Sequence, residues 1–210
     1  MLGINPLDLV LSAPAILFGL TFHEFSHGYV AYRLGDPTAK MMGRLTLNPL
    51  KHLDPIGTIA LFLFHFGWAK PVPIDPRYFR NPTRDMALSA AAGPAANLVV
   101  AAIAGLIFRI LIFFGISGFL ASIAIYFVLF NLILCFFNLI PIPPLDGSRL
   151  LYYFLPPNLA ARYAQLERYG FLILLGIIFV GPLIGIPILS LYLWPLVRVF
   201  STLFAGYSPM

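Results

Sequence analysis

The feature that most constrains this chain is a series of long apolar runs that carry almost no charge. Four runs cover residues 7–32, 86–114, 119–140 and 169–204. About 20 consecutive apolar residues suffice for a helix to cross the hydrocarbon core of a bilayer. The runs are continuous, whereas the strands of a membrane barrel alternate apolar and polar residues. The sequence therefore predicts an all-α polytopic membrane protein with four to six transmembrane helices.

The composition excludes the other common classes of chain. Hydrophobic residues make up 60% of the 210 residues and charged residues only 10%, against about half and about a quarter in soluble domains. Disordered chains are poor in apolar and aromatic residues, so disorder is excluded as well. The net charge of +5 comes from basic residues beside the apolar runs, which indicates membrane topology and not nucleic-acid binding. The single cysteine, Cys135, excludes an intrachain disulfide and a cysteine metal cluster.

The distribution of basic residues predicts which loops face the cytoplasm. The stretch 33–84 carries eight of the thirteen Lys and Arg, the stretch 147–168 carries three, and the turn 115–118 carries none. By the positive-inside rule both basic stretches are cytoplasmic. We therefore expect an integral, multi-pass protein of the cell membrane whose first span runs inward.

Three segments leave the details of this topology open. The apolar run 56–68 is short for a span and suits a re-entrant segment, an interfacial segment or a short buried helix. The run 169–204 is long enough for a C-terminal helical hairpin, although one kinked helix with an interfacial tail fits nearly as well. Residues 44–48 alternate in the manner of a short strand. We see no internal repeat, and we expect a single transmembrane domain over residues 1–210.

The candidate chemistry is concentrated in the first run, where residues 23–27 read His-Glu-Phe-Ser-His. His23 and His27 are four residues apart and share one face of a helix. Two imidazoles so placed can bind one zinc ion, and Glu24 beside them can take a proton from bound water. A purely structural role is less favourable, because ionisable groups inside a membrane are costly without a partner. At about 1.5 Å per residue, His27 and His23 lie about 9 Å and 15 Å inward from Arg33 at the cytoplasmic interface.

A catalytic zinc site takes three protein ligands and leaves one position for water. Asp146 is the best candidate for the third ligand, because it follows the third long run, which also ends on the cytoplasmic side. Considered alone, Asp146 is more typical of an ordinary turn aspartate before a glycine, and the His23–His27 motif reverses this preference. His52 and His65 are rival ligands, although a structural or interfacial role is the stronger expectation for each.

Three sequence blocks occur in a fixed order: His23 to His27, Gly93-Pro94-Ala95-Ala96-Asn97 at the start of the second long run, and Asn138 to Asp146-Gly147 after the third. Together they resemble the site-2 protease family of intramembrane zinc metalloproteases, in a minimal form without PDZ or CBS domains. The resemblance covers about residues 5–150, which would be the catalytic core. One departure is Ser148, where many members have a second glycine.

The resemblance implies a zinc ion on His23, His27 and Asp146, with Glu24 as the general base. It also implies that Asn97 and Asn138 line the site and bind the substrate. The stretch 43–48 would be a membrane-associated β segment that pairs with an extended substrate. The implied function is a zinc metalloendopeptidase that cleaves transmembrane protein substrates in the lipid bilayer, as in regulated intramembrane proteolysis.

Two alternatives use the same residues differently. A membrane zinc-binding or transport protein would hold the ion without hydrolysis, although transporters usually have internal repeats and a site at the bilayer midplane. A catalytically silent relative would only bind membrane helices, and the intact Glu24 argues against it. No oligomeric state is predicted, because small residues serve helix packing within and between chains alike.

Overall fold

The computed structural model describes residues 6–57, 59 and 67–209, and this part of the chain is predominantly helical. Helix α1 spans Pro6–Arg33 and is followed by the single turn α2, Thr38–Met41. Irregular backbone with short 3-10 turns at Pro49–Lys51 and Pro76–Tyr78 leads to the long helices. The remaining helices are α3 (Pro82–Phe113), α4 (Phe119–Asn138), α5 (Asp146–Phe154), α6 (Pro157–Ala164), α7 (Glu167–Leu175), a π-helical turn (Gly176–Val180), α8 (Gly181–Leu183) and α9 (Ile188–Ala205).

Three described helices, α3, α4 and α9, are long and apolar enough to cross a membrane. A fourth candidate is α6 together with the helical stretch from Glu167 to Leu183, which are bent by 60°. Many outward side chains of α3, such as Ile103 and Leu106, are exposed in the isolated chain, as expected of surface that lipid covers. The predicted class, a helical polytopic membrane protein, is confirmed. The span in α1 and a total of four to six spans stay predictions.

The predicted β segment at residues 43–48 is not confirmed. These residues form a turn and bends in the isolated chain. A strand forms only when it pairs with a neighbouring strand. Within the described residues the β pairing consists of one isolated antiparallel bridge, between Leu53 and Ala69, which does not involve residues 43–48. His65, with most of the short run 56–68, lies outside the described residues.

Helices α1, α3 and α4 pack against one another around the site. Two of them present rows of small or polar residues with a four-residue spacing: Gly19, His23 and His27 on α1, and Ser89, Gly93 and Asn97 on α3. Rows with this spacing form ridges that interlock between helices. Asn97 contacts Gly19 and His23, whereas Ser89 contacts His27, so α1 and α3 run antiparallel.

An apolar cluster joins α3, α4 and α9 beside this polar interface. It contains Val128 and Leu132 of α4 and Val197 of α9, all completely buried. At its edge the guanidinium group of Arg109 donates to main-chain carbonyl groups at the end of α9, including that of Phe204 at 2.7 Å. Cations near a helix C-terminus bind its unsatisfied carbonyl groups favourably. The end of α9 is thereby fixed to α3.

Candidate metal centre

Three side chains meet between α1 and the start of α5: His23, His27 and Asp146. The Nε2 atoms of His23 and His27 lie 3.1 and 3.2 Å from Oδ2 of Asp146. The ligand atoms of all three residues lie within 4.8 Å of one another. In a tetrahedral zinc site with bonds of about 2.0–2.1 Å, neighbouring ligand atoms are about 3.3 Å apart. The spacing therefore suits a single zinc ion.

The other ring nitrogen of each histidine has a partner that fixes its orientation. Nδ1 of His23 donates to Oδ1 of Asn97 at 2.6 Å, and Nδ1 of His27 donates to the carbonyl oxygen of Ser89 at 2.7 Å. A carbonyl oxygen can only accept, so Nδ1 carries the proton in both rings. The other nitrogen of each ring, Nε2, faces Asp146 and is the atom that could bind a metal ion. Outer partners of this kind are typical of metal-binding histidines.

Asp146 gives the clearest sign that the group fits a cation. Its Oδ2 atom is buried and has no hydrogen-bond donor within the described part of the chain. A buried carboxylate oxygen without a donor is costly, and here the Nε2 atoms of two imidazoles face it. A divalent cation among the three atoms removes that cost. Two imidazoles and a carboxylate also form a ligand set that catalytic zinc sites use.

The turn after α4 brings Asp146 back toward α1. Helix α4 ends at Asn138, and prolines in the following residues prevent its continuation. Asp146 is the first residue of α5. The next residue, Gly147, lies so close to the end of α4 that a Cβ there would be 2.7 Å from the carbonyl oxygen of Ile140. The return of the chain therefore requires glycine at this position.

Gly93 of α3 leaves the space beside the two imidazoles. A Cβ at Gly93 would lie 2.6 Å from Cε1 of His23 and would also overlap Nε2 of His27. Because nearly all real Cβ contacts are longer, any side chain here would displace the rings. The sequence predicted only that the small residues at the start of this helix permit close packing. The structure places that close packing directly against the imidazoles of His23 and His27.

Glu24 is half-buried and does not belong to the group of three possible metal ligands. Its Oε2 atom accepts a hydrogen bond of 2.8 Å from the main-chain N–H of Val72. Val72 belongs to an irregular segment that packs against α1 at Glu24 and Gly28 and continues to Asp75. There the hydrogen bond from the guanidinium group of Arg77 lowers the pKa of the Asp75 carboxyl group below its usual value.

The asparagines predicted to line the site differ in their surroundings. Asn97 is completely buried; besides accepting from His23, its Nδ2 atom donates to the carbonyl oxygen of Gly19 at 3.1 Å and to Oδ1 of Asn131 at 2.9 Å. Asn138 is half-buried at the end of α4, and its Nδ2 atom donates to the carbonyl oxygen of Leu134 in the same helix. The structure thus joins Asn97 directly to His23 of the candidate metal centre.

Of the two rival histidines, His52 lies in the described part of the chain, and it is not brought to His23, His27 and Asp146. His52 is buried, and its Nε2 atom donates to the carbonyl oxygen of Thr46 at 2.8 Å. His52 does not belong to the metal-ligand group found among the described residues.

Three contributors to the site were missed in the sequence: Ser89, Asn131 and Val72. An amide inside an otherwise apolar helix was a usable signal for Asn131, because such residues usually bond across helices. The matched four-residue spacings on α1 and α3 were a signal for the row containing Ser89. The N–H of Val72 has no counterpart in the sequence, because every residue except proline carries one.

Curated proteins with detectable similarity are named as metalloproteases. The chain is 40% identical over 203 residues to "Putative zinc metalloprotease YwhC" of Bacillus subtilis, and the aligned region covers 90% of each protein. It is 31% identical over 184 residues to "Putative zinc metalloprotease Rip2" of Mycolicibacterium smegmatis, which covers 85% of this chain and 70% of the relative. No protein-family model matches the chain, and no solved structure matches it significantly.

Proposed function

The chain belongs to the zinc metalloprotease family of YwhC and Rip2, and from this premise we propose that it is an intramembrane endopeptidase of the site-2 protease type. It would cleave peptide bonds in or near the transmembrane segments of protein substrates. The observation that carries the proposal is the group of His23, His27 and Asp146, which lies among membrane helices, with Glu24 next to His23 on α1. A soluble protease has no need for such surroundings.

The chemistry follows from the residues around this group. His23, His27 and Asp146 would hold a zinc ion and leave one position for water. When bound, zinc lowers the pKa of a water ligand and polarises the scissile carbonyl group. Glu24 accepts a proton from the attacking water and passes it to the nitrogen of the leaving amine. The carboxylate of Glu24 suits this role because it is adjacent to the ligands without being one of them.

We assign different roles to the two asparagines. Both hydrogens of the Asn97 amide group are directed at acceptors within the protein, the carbonyl oxygen of Gly19 and the side chain of Asn131. Asn97 is therefore engaged in holding His23. Asn138, which is half-buried beside the turn that carries Asp146, is the better candidate to donate to the substrate carbonyl as it gains negative charge.

The substrate has to be extended, because the peptide bonds of a helix are shielded by its own hydrogen bonds. Within the described residues, the main-chain N–H groups of Thr46 and Leu47 have no hydrogen-bond partner. Unpaired groups of this kind can bind an added strand. The β segment expected at 43–48 would then form only when a substrate pairs with it.

The location of the site follows from the distribution of charge. The basic stretches 33–84 and 147–168 would face the cytoplasm, and both His27 and Asp146 are close in sequence to one of them. We therefore place the catalytic centre within the bilayer near the cytoplasmic side of the cell membrane. Its substrates would be membrane proteins whose spans contain residues that weaken a helix.

The decisive experiment uses purified protein in detergent with a transmembrane peptide substrate. Glu24→Gln should abolish cleavage while zinc remains bound at one ion per chain. Glu167→Gln is the matched control, because Glu167 is an exposed glutamate paired with Arg149 outside the site; it should cleave normally. Cleavage that persists in Glu24→Gln contradicts the proposed mechanism. Zinc flux into proteoliposomes that survives the same substitution would favour the transport alternative.

A further inference from the structure

The segment Lys70–Asp75, which we call the strap, packs against α1 at Glu24 and Gly28, next to the candidate metal centre. Its main chain is fixed at four places by groups from distant parts of the chain. The N–H of Lys70 donates to the carbonyl oxygen of His52 (2.8 Å), the carbonyl groups of Lys70 and Pro71 accept from Nη2 of Arg44 (2.8 and 3.2 Å), the N–H of Val72 donates to Oε2 of Glu24 (2.8 Å), and the N–H of Asp75 donates to Oδ2 of Asp36 (2.7 Å).

The sequence around Val72 leaves a single main-chain N–H that can donate to Glu24. Pro71 and Pro73 flank Val72, and proline has no N–H and a fixed φ angle. Over residues 71–73 the N–H of Val72 is therefore the single main-chain donor, and it is directed at Glu24. The two prolines also prevent the strap from pairing as a continuous strand with a substrate.

The side chain of Val72 packs directly on α1 and so determines how closely the strap approaches this helix. Val72 is 7% exposed, and its Cγ1 atom lies over Gly28, where an added Cβ would be only 2.9 Å away. Gly28 follows Glu24 by four residues and so lies on the same face of the helix. The packing of Val72 on Gly28 thus brings its own N–H to the carboxylate of Glu24.

The remote anchors of the strap are buried charges. Asp36 is completely buried, and Arg44 is 8% exposed. Buried charges are costly unless they are hydrogen-bonded, yet both residues use those bonds to hold the main chain of a short loop. This arrangement restrains the strap at either side of Val72, independently of Glu24.

We propose that the strap is a positioning element for the general base, in which the N–H of Val72 fixes one oxygen of Glu24 so that the other is presented for proton transfer. This inference rests on the proposed function. Val72 is a positioning residue, because it acts only through Glu24. A general base that samples several rotamers loses rate without weakening substrate binding. Loss of the bond should therefore lower kcat and leave KM and zinc content unchanged.

The test compares two substitutions at one position in the full-length protein. Val72→Pro removes the N–H and should lower kcat about 10-fold to 100-fold, with KM and zinc content unchanged. Val72→Ala keeps the N–H but loses part of the packing on Gly28, so it should lower kcat clearly less than Val72→Pro does. If Val72→Pro keeps the kcat of the wild type, or loses zinc together with activity, the positioning role is wrong.

A second variant acts on the strap from a distance, in case Val72→Pro does not fold. Arg44→Met removes the donors to the carbonyl groups of Lys70 and Pro71 without touching Glu24. It should lower kcat in the same direction, again without a change in KM or zinc content. An unchanged kcat in Arg44→Met contradicts the proposal.

Hydrogen exchange gives a readout that does not depend on turnover. The N–H of Val72 should exchange slowly in the wild type and at least about fivefold faster in Glu24→Ala, since the bond that protects it is lost. Equal exchange rates contradict the proposal. If the wild type cleaves the peptide and the strap variants cleave it with the same kcat, the positioning role is wrong and the proposed function still stands. If the wild type cleaves no transmembrane peptide, the proposed function fails.

Discussion

Replacing Asn97 with alanine removes the acceptor that holds the Nδ1 atom of His23. His23 is 4% exposed, so its N–H would be left buried without a partner, at a cost of about 1–3 kcal/mol. If the ring avoids this cost by turning or by moving its proton to Nε2, the lone pair that faces Asp146 is lost. Either response weakens zinc binding. We expect a loss of about 10-fold to 100-fold in zinc affinity, the usual effect of removing an outer partner of a metal-binding histidine.

Ser89→Ala provides the contrast, because His27 is held by a main-chain carbonyl group and not by a side chain. The hydroxyl group of Ser89 donates to the carbonyl oxygen of Asp85 within the same helix. Alanine removes that hydroxyl and keeps the carbonyl group that accepts from His27. Both substitutions delete a fully buried polar side chain from one face of α3. Ser89→Ala should leave zinc affinity within about threefold of the wild type.

The assay is competition for zinc between metal-free protein in detergent and a chromophoric chelator. Thermal unfolding of each variant in the metal-free state separates a loss of zinc affinity from a loss of fold. Wild-type affinity in Asn97→Ala would refute the assigned orientation of His23. An equal loss of affinity in both variants would refute the distinction between side-chain and main-chain partners.

Further substitutions test the space and the charge around the site. Gly93→Ala should abolish zinc binding, because its Cβ would overlap both imidazoles. The control is Gly105→Ala on the same helix, whose Cβ would lie 2.7 Å from the Cβ of Phe204; it should lower the melting temperature and leave zinc bound. Zinc content and thermal unfolding distinguish the two variants. Asp146→Asn should lose both zinc and cleavage, as measured by metal analysis and peptide assay, because a neutral amide replaces the charged ligand. Gly147→Ala should lower zinc occupancy by displacing Asp146, and an unchanged occupancy would contradict that account of the turn.

Local features of this protein were accessible from its residues. Apolar runs predict membrane helices because lipid-facing side chains must be apolar at every turn, and α3 and α4 confirm this for residues 86–114 and 119–140. His23 and His27 share a helix face because their spacing matches the helical repeat. The strand expected at 43–48 is not formed, because within the described residues this stretch has no paired neighbour and adopts a turn and bends.

The sequence by itself determined the membrane class and the pair of imidazoles, since hydropathy and helical periodicity act over a few residues. Only the tertiary structure decided that Asp146, and not His52, approaches those imidazoles, because a contact across more than a hundred residues depends on how the helices pack. It alone showed the carbonyl group of Ser89 on His27 and the N–H of Val72 on Glu24. Main-chain groups are nearly the same in every residue, so their roles are set by position in space and leave no mark in the sequence.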